Sequence, residues 1–225
     1  MGDVLVTGAS GGIGSAVVAA LAAAGHRVTA LGRDAVALEK LDGASATIVA
    51  DLAQPGSLAE VIGDVEELDA LIHCAGFSEV AKFADTSATV WQDTLAVNVT
   101  AAAEVTRLLL PALRRSGGHV VFVNAAPGMG ATPQWAAYVA SKAALRELAD
   151  TLRLEEAGAG VRVTTVHPAG TATELLSRTR AAFGRPYNPD TAITPDSLAG
   201  MISWLLAAPA DAYVTEIGVW ARPRG

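Results

Sequence analysis

Cysteine, aromatic residues and charged residues are all scarce in this chain. Cys74 is the only cysteine, which excludes an internal disulfide and a cysteine-built zinc site. Aromatic residues make up 5% of the 225 residues and charged residues 17%, whereas hydrophobic residues reach 51%. That balance is too apolar for a disordered chain, and the length is that of one α/β domain. The composition therefore predicts a single folded domain over 1–225.

A basic surplus and long hydrophobic runs are also missing. The net charge is −7, so we expect no nucleic-acid partner. No uninterrupted apolar run reaches the roughly 18 residues that a membrane-spanning helix needs. The start of the chain has no basic region before an apolar one, and its end carries no lipidation motif. We therefore expect a cytoplasmic protein with no membrane segment and no metal site.

Short apolar runs alternate with helix-forming stretches along the chain. Buried strands are predicted at 3–7, 27–31, 46–50, 68–74, 119–123 and 161–167, with a final strand at 213–220. Helices are predicted at 12–24, 34–41, 57–65, about 87–115, about 133–157 and 195–207. This alternation predicts the α/β class: a single-domain Rossmann fold, with a doubly wound parallel sheet of about seven strands and helices on both faces. Ligands of such sheets bind beyond the carboxyl ends of the strands.

A glycine-rich segment, TGASGGIG at 7–14, follows the first strand and opens the first helix. Gly8 permits a tight turn, Gly12 lets the backbone approach a pyrophosphate, and Gly14 allows the helix to pack on the sheet. The helix N-terminus supplies unpaired N–H groups for the anion. Glycines also serve plain tight turns, but the strand-loop-helix context favours a nucleotide site.

In dinucleotide-binding folds of this type, the residues at the end of the second strand select between NAD and NADP. An acid there binds the adenosine 2′-hydroxyl of NAD, and an arginine accepts the 2′-phosphate of NADP. The sequence has Gly32-Arg33-Asp34, which favours NADP(H) over NAD(H) through Arg33. Arg33 could also be an ordinary solvated arginine and Asp34 a helix N-cap. Asp51 and Leu52, after the third strand, are placed to hold the adenine, although an aspartate there is also common in turns.

Tyr138 and Lys142 are four residues apart in a predicted helix, so both side chains lie on one face. A phenol with a pKa of about 10 is a poor acid–base group at neutral pH. A nearby ammonium favours the phenolate and makes proton exchange with a substrate oxygen feasible. Together with the glycine segment, this spacing favours a catalytic pair over a surface pair.

With these motifs the chain resembles the short-chain dehydrogenase/reductase family over essentially its whole length. Further shared motifs are Cys-Ala-Gly at 74–76, Asn98 in LAVNVTA, and His167-Pro168 followed by Thr171 and Thr173. The resemblance implies an NAD(P) cofactor and hydride transfer between its nicotinamide and a carbonyl or alcohol carbon. The cofactor-binding residues then expected are Gly8, Ser10, Gly12, Ile13, Gly14, Arg33, Asp51, Leu52, Ala75, Gly76, Asn98, Tyr138, Lys142, Pro168, Thr171 and Thr173.

The resemblance also implies catalytic roles. Tyr138 is expected to be the acid–base residue, and Lys142 to lower its pKa and bind the nicotinamide ribose. Asn98 is expected to hold a proton-relay water, and Thr171 or Thr173 to meet the carboxamide. Simpler structural roles compete: Asn98 could satisfy backbone groups within its own helix, and the threonines could cap the next turn.

The main departure from the family is at Ala125. The family usually places a serine about thirteen residues before the tyrosine, and counting back from Tyr138 gives Ala125. Losing one such hydrogen-bond donor typically costs about 10²- to 10³-fold in rate. Three interpretations remain open: an inactivating substitution, a natural reductase that works through Tyr138 alone, or a relative with different chemistry. Ser141 shows no reason to face the substrate.

Smaller departures lie at Cys74 and His73, where the family commonly has asparagines. Because this turn contributes mainly backbone, we expect little loss from either residue. Cys74 is expected to be a small buried apolar residue rather than a nucleophile. His73 and His119 are expected to be structural.

Apolar side chains after the fourth, fifth and sixth strands indicate a pocket for a hydrophobic ketone or alcohol. They are Phe77, Met129, Trp135, Leu175, Leu176, Phe183 and Tyr187. The segment 174–193 is expected to be a mobile lid. Small residues on the helices near 101–115 and 138–155, together with the family resemblance, indicate a homodimer or homotetramer.

The favoured hypothesis is an NADP-preferring carbonyl reductase or alcohol dehydrogenase with Ala125 at the usual serine position. A non-redox isomerase, cyclase or dehydratase on the same scaffold is the first alternative. A nucleotide-sensing regulator is the second, although sensing alone needs neither Tyr138, Lys142 nor Asn98.

Overall fold

A parallel sheet forms the centre of the computed structural model, which describes residues 2–126, 131–209 and 211–222. Within these residues seven strands pair side by side, all parallel, in the order β3-β2-β1-β4-β5-β6-β7. The strands are β1 Asp3–Thr7, β2 Arg27–Gly32, β3 Ala44–Val49, β4 Ala70–His73, β5 His119–Val123, β6 Arg162–Pro168 and β7 Glu216–Val219. The predicted fold class is confirmed.

Helices cover both faces of this sheet. They are α1 Gly12–Ala23, α2 Ala35–Glu39, α3 Leu58–Ile62, α4 Ala88–Leu95, α5 Ala101–Ser116, α6 Ala136–Glu156, α7 Glu174–Ala182 and α8 Pro195–Ala207. Successive strand residues point to opposite faces, so Val4 and Val6 join the core under α1 and α8, while Leu5 joins the core under α5 and α6. The continuous apolar runs in the sequence reflect this burial on two faces.

The predicted helix at about 87–115 has an irregular centre. It consists of α4, a π-helical turn at Ala96–Thr100 and α5. Asn98 lies in this turn and is buried. Wide turns of this kind are frequently found at functional sites.

The third predicted strand forms, but the prediction that it is buried is wrong. β3 forms, at Ala44–Val49, but most of its residues are exposed, and Val49 is 50% exposed. The reason is its place at the edge of the sheet, where β2 is its only neighbour among the strands described. Apolar composition cannot distinguish a central from an edge strand.

One helical stretch contradicts the expectation that no segment is long and apolar enough to cross a membrane. By length and composition alone, Ala88–Ser116 is long and apolar enough to cross a membrane. Its apolar face, with Val105, Leu109 and Leu113, is buried against the sheet. A core helix of a globular domain has the same composition.

The strand order places a crevice at the carboxyl edge of the sheet. The chain runs from β1 outward to β2 and β3 on one side, and from β4 through β5 to β7 on the other. The loops after β1 and β4 separate at this point, and dinucleotides bind at such crevices. Every predicted site segment follows one of the strands β1 to β6.

Candidate active site

A groove with about 1170 Å³ of free space, part of it open to solvent, runs along the carboxyl edge of the sheet beside the glycine segment. Gly8 has φ +65, and a Cβ on it would lie 2.6 Å from Ala75 Cα. A Cβ on Gly14 would lie 2.2 Å from Gly8 O, so α1 can approach the loop only without a side chain there. The predicted residues Gly8, Ser10, Gly12, Ile13, Gly14, Arg33, Asp51, Leu52, Ala75, Gly76 and Thr173 all line this groove.

At the far end of the groove, Arg33 and Asp34 have different roles. Arg33 is exposed and lines the groove. The Asp34 side chain accepts a hydrogen bond from Ala37 N at 3.0 Å and caps α2. One oxygen of this exposed carboxylate is therefore engaged by the helix. Asp51 lines the groove while accepting from Ala53 N at 3.0 Å.

Tyr138 and Lys142 lie one turn apart on α6, as predicted, and both are largely buried. The Lys142 ammonium lies 5.8 Å from the centre of the Tyr138 ring and donates to Val123 O at 3.1 Å. Burial raises the pKa of Tyr138 to about 12 and lowers that of Lys142 to about 8. Loss of solvent around the phenol sets this direction, and the expected effect of Lys142 on the tyrosine pKa stays a prediction.

Ala125 lies beside this pair, after β5, and lines the same pocket as Tyr138 and Lys142. Its carbonyl is 2.9 Å from His167 Nδ1 on β6, and the side chain of the preceding Asn124 donates to Lys142 O at 3.0 Å. The loop is therefore anchored to both β6 and α6. Ala125 therefore places a methyl group, where the family usually has a hydroxyl, in the pocket that Tyr138 and Lys142 also line.

Asn98 connects three elements rather than serving its own helix. Its Oδ1 accepts from Phe77 N at 2.7 Å, and its Nδ2 donates to Phe77 O at 2.9 Å and to Ser141 Oγ at 2.9 Å. Ser141 in turn donates to Tyr138 O at 2.7 Å. These bonds fix the loop after β4 against α6. The proton-relay role of Asn98 stays a prediction.

The segment after β6 meets the glycine segment directly. A Cβ on Gly12 would lie 2.8 Å from Thr173 Cγ2, so Thr173 packs against the loop. Thr173 accepts from Leu176 N at 3.2 Å and caps α7. Thr171 is buried and donates to Ala169 O at 3.2 Å. Both threonines line the pocket with Pro168, and their contact with a carboxamide stays a prediction.

The pocket next to the groove encloses about 690 Å³. Trp135 stacks on Tyr138 with ring centres 4.3 Å apart, and Phe183 meets Trp135 edge-on at 5.5 Å. Of the predicted substrate residues, Trp135, Leu175 and Leu176 line this pocket, and Phe77 lines the groove. Tyr187 lines neither cleft. Met129 lies outside the described residues.

Comparison with known proteins agrees with this geometry. The family model for short chain dehydrogenase matches residues 3–183. The chain belongs to the short-chain dehydrogenase/reductase family. It is 33% identical over 225 residues to an uncharacterised short-chain type dehydrogenase/reductase of Sinorhizobium fredii, covering 96% of this chain and 89% of the relative.

Two further relatives carry more informative names. A 2,3-dihydro-2,3-dihydroxybenzoate dehydrogenase of Escherichia coli is 37% identical over 179 residues, covering 77% of this chain and 71% of the relative. A metagenomic short-chain oxidoreductase, solved in complex with NADP, superposes with a TM-score of 0.80 at 25% identity, covering 99% of this chain and 97% of that one. Like its family, this protein is an NAD(P)-dependent oxidoreductase.

The groove of this short-chain dehydrogenase fits a dinucleotide. Side chains at Gly8 and Gly14 would collide with backbone, so the glycines let the loop fold tightly where it lines the groove. The N-terminus of α1, which follows the loop, offers N–H groups to an anion. The residues that would hold the cofactor are the groove residues named above, with Tyr138 and Lys142 at the pocket end.

His73 and His119 are buried, whereas Cys74, which was expected to be buried, is partly exposed and lines both the groove and the pocket. His73 Nε2 lies 2.9 Å from Thr106 Oγ1, and the ring stacks on Phe122 at 4.8 Å. Burial lowers the pKa of His73 and of His119 to about 3 in each case. Burial also raises the pKa of Cys74 to about 12, so its thiol is protonated at neutral pH.

Sequence analysis missed three residues of this site. Ser141 was given no role, yet it is buried and bonds both Asn98 and the Tyr138 backbone. Ser78 lines the pocket and accepts from Trp135 Nε1 at 2.8 Å. Arg178 lines the groove from α7. Of these three, only Arg178 could have been identified from the sequence, because it lies four residues after Glu174 on the predicted lid.

Proposed function

We propose that this enzyme is an NADP-preferring carbonyl reductase or alcohol dehydrogenase for hydrophobic small molecules. One observation carries the proposal: the partly buried Tyr138 lines an apolar pocket that shares a wall with the dinucleotide groove. The shared wall is formed by Ile13, Cys74, Ala75, Gly76, Thr173 and Leu175. A carbonyl bound in the pocket therefore lies beside the cofactor groove.

The chemistry divides between the cofactor and the chain. When bound, the nicotinamide exchanges a hydride with the substrate carbon. Tyr138 donates a proton to the substrate oxygen during reduction and accepts it back during oxidation. A pKa near 12 keeps the phenol protonated at neutral pH, which suits proton donation and therefore reduction. Lys142, still charged below pH 8, attracts the negative charge that develops on the phenol.

Preference for NADP rests on Arg33. The guanidinium is exposed in the groove, and the neighbouring acid Asp34 caps α2. The metagenomic relative in complex with NADP supports the same cofactor. A charge-assisted hydrogen bond contributes on the order of 1.5–3 kcal/mol, or about tenfold or more in affinity.

The test compares NADPH and NADH affinities by protein fluorescence. NADPH is expected to bind at least about tenfold more tightly than NADH. Arg33→Ala removes most of that preference and leaves NADH affinity unchanged, since NADH lacks the 2′-phosphate. Equal affinities for the two cofactors in the unchanged protein refute the preference.

A hydrophobic substrate is favoured by the pocket lining. Trp135, Leu175 and Leu176 supply the apolar surface, and Ser78 and Thr179 are the polar side chains on the lid side. A broad panel of ketones, followed by loss of NADPH absorbance, identifies the substrate class. Aromatic and alicyclic ketones are expected to exceed charged keto acids in kcat/KM, because a charged group pays a desolvation cost in such a pocket.

The lid is part of the same proposal. The chain leaves the pocket after Thr173 and returns at Ile193, and the two ends are pinned where Ile193 N donates to Gly170 O at 2.9 Å and Ala172 N donates to Ile193 O at 2.7 Å. The segment 174–193 can therefore move about a fixed base. We assign it the role of closing over bound substrate.

Ala125 gives a specific reason to keep the non-redox alternative. Without the serine hydroxyl, the pocket lacks one donor for a developing oxyanion. An isomerase, cyclase or dehydratase that uses Tyr138 as an acid predicts product formation without any change in NADPH absorbance. A reductase predicts consumption of NADPH in proportion to product.

We also propose that the protein forms a homodimer or homotetramer through α5 and α6. A shallow groove between these helices is lined by Ala103, Thr106, Arg107, Leu110, Glu147, Leu148, Thr151, Leu152 and Glu155. Nearby on α6, Leu154 is 80% exposed. A dimer or tetramer that covers this surface is expected in sedimentation experiments, and Leu148→Arg is expected to shift it toward monomer.

A further inference from the structure

Arg178 is an exposed arginine on the helix that forms the lid. It lies on α7, one turn after Glu174, and both side chains line the dinucleotide groove. The next arginine, Arg180, points elsewhere: its guanidinium donates to Pro186 O at 3.3 Å. One helix therefore carries two exposed arginines, of which one faces the groove.

The helix that carries Arg178 begins at the glycine segment. Thr173, the N-cap of α7, packs on Gly12, so the lid helix begins against the loop that opens α1. Arg33 follows β2, and α7 follows β6, on opposite sides of β1 in the sheet order. The two arginines thus approach the groove from opposite sides, and the glycine loop lies between them.

Arg178 has no partner of its own within the part of the chain that the structure describes. A glutamate and an arginine at i and i+4 commonly pair on a helix surface. No ion pair joins Glu174 and Arg178 at 4.0 Å or less, although other exposed arginines, such as Arg107 and Arg146, are paired. The guanidinium is therefore available to a ligand in the groove.

We propose that Arg178 binds the pyrophosphate of the dinucleotide and that this contact holds the lid helix over the site. The inference rests on the proposed dinucleotide function. The N-terminus of α1 contributes only about half a positive charge toward an anion. A guanidinium matches phosphate oxygens with paired N–H donors and supplies a full charge.

The experiment measures dissociation constants by calorimetry for the unchanged protein, Arg178→Gln and Arg180→Gln. The probes are NADPH, NADH, ADP-ribose and adenosine 2′-monophosphate. ADP-ribose keeps the pyrophosphate but lacks nicotinamide, and adenosine 2′-monophosphate lacks the pyrophosphate. Arg180→Gln is the matched control because it removes the same charge from the same helix.

Arg178→Gln is expected to weaken NADPH, NADH and ADP-ribose alike, by about tenfold each, and to leave adenosine 2′-monophosphate unchanged. Arg180→Gln is expected to change all four affinities by less than about twofold. Both side chains are exposed, so unchanged melting temperatures are expected.

Three results would overturn the assignment. Unchanged affinities for NADH and ADP-ribose in Arg178→Gln would show that Arg178 does not bind the pyrophosphate. A loss confined to NADPH assigns the arginine to the 2′-phosphate instead. An equal loss of affinity in Arg180→Gln would show that only the positive charge of the helix matters and not a specific contact of Arg178. Failure of the unchanged protein to bind any of the dinucleotides contradicts the proposed function itself, which separates the two failures.

Hydrogen exchange tests the lid part of the inference. NADPH at a saturating concentration is expected to slow amide exchange across 174–182 in the unchanged protein and in Arg180→Gln. In Arg178→Gln, also saturated with NADPH, that protection is lost while protection of the glycine segment remains. Equal protection of α7 in all three proteins contradicts the holding role.

Discussion

Restoring a serine at Ala125 tests the catalytic arrangement most directly. The loop that carries Ala125 is held by His167 through its carbonyl and by the adjacent Asn124 through Lys142 O. A serine hydroxyl introduced there points from an anchored backbone into the pocket that contains Tyr138. Because the support is already present, the gain should reach the range found for one positioned donor, about 10²- to 10³-fold or about 2.7–4 kcal/mol.

The assay follows NADPH absorbance with a panel of ketones and compares kcat/KM for the unchanged protein and Ala125→Ser. The gain is expected in kcat/KM, with NADPH affinity unchanged, because residue 125 lines the substrate pocket and not the groove. Ala126→Ser is the control, since it adds the same hydroxyl one residue further on, outside the pocket lining. Absence of any gain on every carbonyl tested would refute the reasoning and favour non-redox chemistry.

Three further predictions follow from the buried groups. Tyr138→Phe is expected to lower kcat by about 10²- to 10⁴-fold and to leave the NADPH dissociation constant within about twofold, as steady-state kinetics and fluorescence titration would measure; full activity would contradict the acid–base role. Lys142 has a pKa of about 8 in the folded protein against an ordinary 10.5, so the unfolded chain binds more protons between these values. Between pH 8 and 9.5 this difference alone raises the free energy of unfolding by about 1.5 kcal/mol, whereas the Cys74 thiol, with its raised pKa, lowers it over the same range. In urea titrations the change from pH 8 to 9.5 is therefore expected to be about 1.5 kcal/mol more positive in the unchanged protein than in Lys142→Met. His73 and His119 are neutral when folded, so acidification from pH 6.5 to 5 is expected to lower the free energy of unfolding by about 2 kcal/mol for each histidine, and His73→Asn should roughly halve the slope.

Much of the fold followed from local pattern. Runs such as Asp3–Thr7 and His119–Val123 are continuous and apolar because both faces of a central parallel strand are buried. The same argument failed for β3, because its edge position depends on the order of the strands in the sheet, which local sequence does not contain. The break at Ala96–Thr100 was also missed, since its β-branched residues and asparagine are weak helix formers that also occur within regular helices.

The motif residues of the site were identifiable because their chemistry depends on spacing within one element. Gly8 is required by its positive φ and Gly14 by the approach of the Gly8 carbonyl, and Tyr138 and Lys142 share a face because a helix repeats every 3.6 residues. Ala125 could be found by counting back from Tyr138. In each case the information is local in the chain.

Tertiary structure decided what depends on contacts between distant segments. The pKa of Tyr138 rises rather than falls because packing removes water from the phenol, and a sequence does not contain that burial. Ser141 gains its role from Asn98, which lies on a different helix. Arg178 reaches the groove only because Thr173 packs on Gly12 and brings the lid helix to the glycine loop. Spacing along one element fixes which side chains share a face, but only the folded chain fixes which faces meet.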